Sequence, residues 1–366
     1  MADITIVFPT FNRPDEVRFN LAKIRECRGD VDVEVIIIDN SPESETYDLD
    51  PGWKYIFTGE NLGASARNIG IKEASSEYVL MLDDDSCFEA GTLESLLDAF
   101  STAPDDVAGL NMKISRPDGG LESALLRTVF HGCGFALKKS VFTKYQVYYP
   151  EHFCYYGEEY LMTLQLYAAG YRIGFAEGAE VIHRRVLTGR NKGRIFNLMA
   201  RNNRMTWKGL IDDELLKEVM DCCNWRYHHL AIKENVLEDY QKGLEEEITE
   251  VDYDAKLDDE IFSRFALIDK LQALELPDEV VILSTGKLPL IWCRVLKEQG
   301  ISVQFADLNP GLAGNELCCK KVLSKEEVLE LPEDTVFING LSSYPDMKTW
   351  EGILKGRGFK IKTIEV

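Results

Sequence analysis

Residues 3 to 110 alternate short apolar runs with amphipathic stretches. Ile4-Thr5-Ile6-Val7-Phe8 and Val33-Glu34-Val35-Ile36-Ile37-Ile38 read as buried strands, separated by a helix from about Pro14 to Arg28. Lys54-Tyr55-Ile56-Phe57 predicts a further strand, Ser65 to Ala74 a helix, and Tyr78-Val79-Leu80-Met81-Leu82 another strand. This order predicts an α/β domain with a mostly parallel central sheet whose ligands gather at the carboxyl ends of the strands. The polar residues of interest fall there. Pro9-Thr10-Phe11-Asn12-Arg13 follows the first strand, Asp39-Asn40-Ser41 the second, Asn61-Leu62-Gly63 the third and Asp83-Asp84-Asp85 the fourth.

From about 212 to 275 the pattern becomes helical and strongly charged, which predicts a solvated connector. After Pro277 a second alternation begins: Val280-Val281-Ile282-Leu283, a helix from Pro289 to Gln299, Ile301 to Phe305, and short strands near Val336-Phe337-Ile338 and Lys360 to Ile364. The expected organisation is a domain over 1–211, a connector over 212–276 and a small α/β domain over 277–366.

Three carboxylates directly behind an apolar run repel one another and lose solvation, so a fold keeps them at a strand end only with positive charge nearby. A hard divalent cation meets that need. Asp83 and Asp85 alternate along the chain, so they can face the same side and share one Mg2+ or Mn2+ ion whose other ligands are phosphate oxygens. Alone in an acidic protein the same tripeptide would read as a solvated turn; its company elsewhere in the chain favours the metal.

Composition narrows the class. At 366 residues the chain exceeds one ordinary core, and 45% hydrophobic with 28% charged residues describes a soluble globular protein. No apolar run reaches the roughly eighteen residues of a membrane span, and the N-terminus runs straight into a strand, so neither an integral membrane segment nor a signal peptide is expected. The net charge of -21 argues against a nucleic-acid partner or a general anionic-membrane binder. Nine cysteines without a C-x-x-C spacing fit reduced thiols better than a disulfide framework or a zinc site. The expected location is the cytoplasm, at most peripheral to the inner face of the membrane.

Taken in order, these residues resemble a family 2 glycosyltransferase with the GT-A fold, over roughly residues 3 to 210. The resemblance implies that Pro9, Thr10, Asn12 and Arg13 line a nucleotide base and that Asp39 accepts a hydrogen bond from it. In Asn61 to Gly70, Asn61, Gly63 and Arg67 border the nucleotide, Gly63 permitting close approach. Asp83, Asp84 and Asp85 match the family's acidic motif, one acid near the ribose and another on the metal. Gly132-Cys133-Gly134-Phe135-Ala136-Leu137 resembles the short small-residue strand beneath the acceptor site, and Gly157-Glu158-Glu159-Tyr160-Leu161, followed by Ala169 to Ile173, the acidic segment carrying the base and its helix, with Glu159 where aspartate is usual and Leu161 where a second one often lies. Glu159 is the implied base, Glu158 the alternative. His183 sits where relatives carry a histidine that meets the metal or the diphosphate. Arg184, Arg185 and Arg190 then supply cations for a flap over that diphosphate, and Arg201-Asn202-Asn203-Arg204 resembles a segment that helps hold that flap or an acceptor phosphate.

The implied activity is inverting, metal-dependent transfer of a hexose-type sugar from a nucleoside diphosphate, a UDP-sugar first among donors, to a glycan, lipid-linked or protein hydroxyl in surface polysaccharide or glycoconjugate synthesis. The cofactor is Mn2+ or Mg2+, and a homo-oligomer is left open. Such chemistry needs these groups: the leaving diphosphate gathers negative charge while a carboxylate on the opposite face removes the acceptor proton. A nucleotidyltransferase also uses an acidic metal site, but Phe8-Pro9-Thr10-Phe11-Asn12 stands where its basic glycine-rich loop would be. A non-catalytic sugar-nucleotide-binding scaffold is the other alternative. In the last domain, Val281 to Pro289 resembles a Rossmann-like phosphate turn that keeps only Gly286 of three glycines, with Asp307 at the acidic position after the next strand.

Overall fold

The computed structural model describes residues 2–185, 191–248, 253 and 256–366. Its contacts group the chain into two compact units, residues 1–123 with 129–189, and residues 124–128 with 190–366. The dividing line falls near 190, ahead of 211, and the helices between 192 and 272 group with the C-terminal sheet.

The first unit opens with β1 (Ile4–Thr10), α1 (Pro14–Cys27), β2 (Val33–Asp39), β3 (Lys54–Phe57), α2 (Arg67–Glu73) and β4 (Tyr78–Met81). It continues with β5 (Ser86–Phe88), α3 (Thr92–Thr102), β6 (Val107–Ser115), β7 (Leu121–Glu122), β8 (Phe135–Lys138), α4 (Lys139–Tyr145), α5 (Glu158–Ala168) and β9 (Arg172–His183). The strand order is β3-β2-β1-β4-β8-β6-β9-β5, with β7 on β6. Pairing is parallel from β3 to β4 and between β6 and β9, but β8 is antiparallel to β4 and β6, and β5 to β9. The sheet is mixed, where the strand and helix pattern predicts a mostly parallel one. Apolar periodicity marks a strand without marking its partner, so the antiparallel return of β8 beside β4 has no signature in the pattern.

Alternation along the strands explains the two cores. Ile4, Ile6 and Phe8 of β1 with Val33, Val35 and Ile37 of β2 face Val17, Leu21 and Ile24 of α1 and Leu93, Leu96 and Phe100 of α3. Val7, Ile36, Ile38, Val79 and Met81 point the other way, onto Ile71 of α2, Phe142 of α4 and Met162 and Leu166 of α5. Helices thus cover both faces of the sheet, and the loops at its strand ends are left to chemistry.

The second unit holds α6 (Lys192–Trp207), α7 (Asp213–Lys233), α8 (Leu237–Glu245), α9 (Asp259–Phe265) and α10 (Ile268–Gln272). There follow β10 (Glu279–Leu283), α11 (Pro289–Glu298), β11 (Ser302–Ala306), β12 (Glu316–Leu317), β13 (Lys320–Lys321), α12 (Lys325–Val328), β14 (Val336–Asn339), α13 (Tyr344–Leu354) and β15 (Lys360–Thr363). Four parallel strands run in the order β11-β10-β14-β15, and β12 and β13 form a separate hairpin. The turn after β10 is closed on itself. Thr285 donates to Asp307 Oδ2 from its backbone N–H at 2.9 Å and its hydroxyl at 2.7 Å, and Asn309 N–H donates to Oδ1 at 2.8 Å. A Cβ on Gly286 would lie 2.8 Å from the Leu341 carbonyl oxygen, so the loop after β14 sits directly over the turn. Asp307, which the sequence places at the acidic position after the second strand of this unit, fastens its own loops here. Among the described residues no helix is long and apolar enough to cross a membrane.

Candidate active site

The acidic triplet splays at the end of β4. Asp83 N–H donates to Ser86 Oγ at 2.8 Å and that hydroxyl donates back to the Asp83 carbonyl at 2.9 Å, turning the chain sharply into β5. Asp84 points inward: it accepts from Thr10 Oγ1 and from Arg13 Nη1, each at 2.9 Å, while Asn20 Nδ2 donates to its carbonyl at 2.8 Å. Asp83 pairs with Arg67 Nη2, and Asp85 lies 3.2 Å from His183 Nε2. The histidine arrives through strand register, since β5 and β9 pair Ser86 with His183 and so bring the end of β9 beside Asp85. One ligand atom each from Asp83, Asp85 and His183 can be chosen so that all lie within 4.8 Å of one another. Two carboxylates and an imidazole are a donor set that suits Mn2+ or Mg2+.

The protein itself supplies positive charge to the triplet, through Arg13 on Asp84 and Asp85, Arg67 on Asp83 and His183 on Asp85. Burial lowers the His183 pKa, but hydrogen bonds with Asp85 and Glu122 outweigh it and raise the value to about 9. Burial pushes Asp84 up to about 6, with Arg13 and Thr10 opposing. Asp83 is likewise raised by burial against the pull of Arg67 and His183.

Arg67 joins the triplet to the two glutamates. Its guanidinium sits 5.6 Å from the centre of the Tyr149 ring, and Asp83, Tyr149, Glu158 and Glu159 all raise its pKa against burial. The neighbouring Asn68 clamps the same segment reciprocally, donating to the Tyr149 carbonyl and accepting from its N–H, both at 2.8 Å. Glu158 and Glu159 open α5 behind Gly157, and a Cβ on Gly132 would lie 3.4 Å from Glu159 Oε1. Glu158 is buried and Glu159 half-buried. Burial, then the charge of Glu159, lifts Glu158 well above the usual carboxylate range; burial also raises Glu159. Among the described residues, Arg67 Nε, Tyr149 OH and Glu158 Oε2 are buried without a hydrogen-bond partner. Unmet polar atoms on Arg67 and on two residues beside it are what a polar ligand would satisfy.

The remaining expected residues divide. Thr10 and Arg13 meet the triplet through Asp84, Pro9 is half-buried, and Asn12 is exposed at positive φ with its N–H on Ser41 Oγ at 2.8 Å. Asp39 is 1% exposed, and its two oxygens accept from Ser41 N–H at 2.9 Å and Tyr55 OH at 2.8 Å. Asn61 is exposed and turns its Oδ1 onto Gly63 N–H at 3.0 Å. Gly63 has an immediate reason other than a nucleotide: at φ +63 its missing Cβ would lie 2.5 Å from the Cys154 carbonyl oxygen, which accepts from Ala64 N–H at 2.9 Å. Arg184 is held away on α1, bonded to Glu16 and 3.8 Å from the centre of the Phe19 ring. Arg185 is exposed and reaches Glu122 at 2.5 Å; Arg190 lies outside the described residues. Arg201 to Arg204 bond within the second unit, with Asn203 Oδ1 accepting from Lys287 Nζ at 2.6 Å and Arg204 Nη1 donating to the Glu246 carbonyl at 2.7 Å. Glu122 is the site residue that sequence reasoning misses. Its Oε2 lies 2.9 Å from His183 Nδ1, opposite the nitrogen that faces Asp85.

A known structure shares the fold that carries these residues. The crystal structure of GalNAc-T7 with UDP, GalNAc and Mn2+ superposes with a TM-score of 0.50 at 15% identity, covering 76% of this chain and 59% of that one. The fold is that of the GT-A glycosyltransferases. Residues 5–162 match the model of glycosyl transferase family 2, and the chain carries a domain of that family. Beta-1,4 N-acetylgalactosaminyltransferase 1 of Mus musculus is 36% identical over 108 residues, 29% of this chain and 20% of that protein. Beta-1,4 N-acetylgalactosaminyltransferase 2 of Mus musculus is 32% identical over 107 residues, 29% of this chain and 21% of that protein. The match therefore spans about a fifth of the length of these relatives.

The Gly63 contact yields a prediction. Gly63→Ala places a side chain at positive φ against backbone, and should cost about 1–3 kcal/mol of stability, seen as a lower urea midpoint. An unchanged midpoint would mean that the Cys154 loop yields freely.

Proposed function

We propose that this protein is an inverting, divalent-metal-dependent glycosyltransferase that moves a sugar, N-acetylhexosamine first among candidates, from a UDP-sugar to a hydroxyl of a glycan, lipid-linked or protein acceptor. The observation that carries this reading is the convergence of Asp83, Asp85 and His183 in one ligand set, joined through Arg67 to Glu158 and Glu159. The N-acetylgalactosaminyltransferase names of the relatives support the sugar class.

In this reading Asp83, Asp85 and His183 hold the ion. A bound Mn2+ or Mg2+ would neutralise charge gathering on the leaving diphosphate. Thr10, Arg13 and Asp84 fix the floor beneath the ribose, and Arg67 keeps Asp83 ionised and turned toward the ligand set. Glu159 accepts the acceptor proton as the hydroxyl oxygen attacks the anomeric carbon from the face opposite the diphosphate, which inverts that carbon. Two adjacent buried carboxyls hold one proton more readily than two charges, so Glu158 keeps the proton and Glu159 stays the base. Glu122 fixes the His183 ring, as carboxylates commonly do behind a ligating imidazole.

Three expected outcomes test the reading on the full chain. UDP-N-acetylhexosamine with Mn2+ should raise the melting temperature of the native protein, and Asp85→Ala should abolish that metal-dependent shift; an unchanged shift in the variant removes Asp85 from the metal site. Glu122→Gln should weaken Mn2+ binding roughly 10- to 100-fold by calorimetry. Equal affinity would leave Glu122 without a part in metal binding. Glu159→Gln should keep donor affinity yet lose roughly 10²- to 10⁴-fold in transfer rate, with Glu158→Gln doing less. Steady-state kinetics decide it: a large loss confined to Glu158→Gln moves the base one residue back, and small equal losses remove both.

A further inference from the structure

Ahead of β8 the chain runs through residues 129 to 134 without helix or strand, yet all of these but Gly132 are buried. Backbone groups in such a segment have no regular ladder to join and burial denies them water, so side chains must meet them. Asn111 of β6 serves both neighbours of Phe130: its Nδ2 donates to the Val129 carbonyl at 2.8 Å, and its Oδ1 accepts from His131 N–H at 3.0 Å. Thr163 of α5 takes the residue between them, its hydroxyl accepting from Phe130 N–H at 3.2 Å. The far end is fixed by the sheet. Gly134 N–H donates to the Met81 carbonyl and the Gly134 carbonyl accepts from Met112 N–H, both at 2.9 Å. Gly132, the exposed residue, is thus held between two clamps.

The Thr163 hydroxyl has a second bond, donated to the Glu159 carbonyl at 2.7 Å, one helical turn back. A threonine in a helix often bonds the carbonyl four residues earlier, and on a solvated face the matter would end there. Here the side chain is buried, and one oxygen ties the residue that carries the candidate base to the segment that passes beside it. The carboxylate of Glu159 lies at the middle of that segment, since a Cβ on Gly132 would be 3.4 Å from its Oε1. The other clamp reaches Met81, the last residue of β4, and Leu82 then leads straight into Asp83. One short stretch of chain therefore connects the start of α5 with the strand end that bears the acidic triplet.

We propose that Thr163 and Asn111 are positioning residues for sugar transfer, fixing the segment at Gly132 against the first turn of α5 and so setting where the Glu159 carboxylate stands. Both side chains are buried and their polar atoms are committed to backbone groups, so they act through Glu159 and not on the substrate. The inference rests on Glu159 being the base of the proposed reaction.

UDP release from UDP-N-acetylgalactosamine with Mn2+, water serving as the acceptor, tests this on the full-length protein. Thr163→Val keeps the branched shape without the hydroxyl and should lower kcat roughly tenfold, the scale of loss from a misplaced reacting group, with calorimetric donor affinity unchanged. Thr163→Ser restores the bridge and should recover the wild-type rate. Placed on Glu159→Gln, Thr163→Val should cause no further loss, because the group it positions is already disabled. Asn111→Ala should repeat the pattern of Thr163→Val, and thermal melts verify that each variant is folded. The positioning role is overturned if Thr163→Val releases UDP at the wild-type rate, if Thr163→Ser is as slow as Thr163→Val, or if the losses from Thr163→Val and Glu159→Gln multiply in the double variant. A wild-type rate in Glu159→Gln alone would instead remove the base itself, and this inference with it.

Discussion

A guanidinium withdrawn from water is the constraint on which the first unit turns. Arg67 is 6% exposed at the start of α2, and a buried cation is tolerated only where acids and hydrogen bonds replace its hydration. Asp83 provides the nearest charge and the Tyr149 ring a polarisable face. Removing one member of a buried ion pair typically costs roughly 3–5 kcal/mol. The Asp83 side chain is 31% exposed, so water screens part of the attraction and the low end of that range applies. The pair therefore does two jobs. It keeps α2 in place against the sheet, and it fixes one carboxylate of the ligand set before any ion arrives.

The same short helix organises the opposite wall. Asn68 clamps the backbone at Tyr149, and the turn before Arg67 receives the Cys154 carbonyl at Gly63. Cys154, Tyr156 and Gly157 all take positive φ on the way into α5, a concentration of costly backbone just ahead of Glu158 and Glu159. Strain of this kind persists only where surrounding contacts over-determine it, and the clamps from Asn68 and Ala64 are such contacts. Asp83 of the candidate ligand set and the segment leading to Glu158 and Glu159 are consequently held by one helix start, over a rigid sheet rather than by a free loop.

This explains which parts were legible in the sequence. Continuous apolar runs marked β1, β2 and β4, and each leads to polar groups at the carboxyl edge of the sheet: Thr10, Asp39 and Asp83 to Asp85, of which Thr10 bonds to Asp84. The motif from Asn61 to Gly70 was visible as a resemblance, but its work was not. Ala64 and Asn68 bond to residues 90 and 81 positions away, and no local pattern announces such partners. Glu122 was invisible for the same reason: it lies on a two-residue strand, and meets His183 only because β7 pairs with β6 and β6 with β9. The expectation that the triplet demands a metal was also too simple. Arg13, Arg67 and His183 already meet its charge, so the case for an ion rests on the spacing of the ligand atoms rather than on uncompensated repulsion.

Spacing also decides what the two glutamates can do together. If both were ionised, each would face the other and Asp83 in a region of low polarisability, with Arg67 the cation they share. Holding one proton on the more deeply buried Glu158 removes that repulsion, and it leaves a neutral carboxyl able to donate a hydrogen bond. The charge then resides on Glu159, the more accessible of the two, whose carboxylate lies against the small-residue segment at Gly132. In the proposed reaction an acceptor hydroxyl approaching over Gly132 would meet Glu159, the more accessible carboxylate of the pair. The glutamate at this position is accommodated beside Gly132, where even a Cβ would meet Glu159 Oε1 at 3.4 Å, an ordinary contact, so the longer acid fits without displacing the segment that precedes β8.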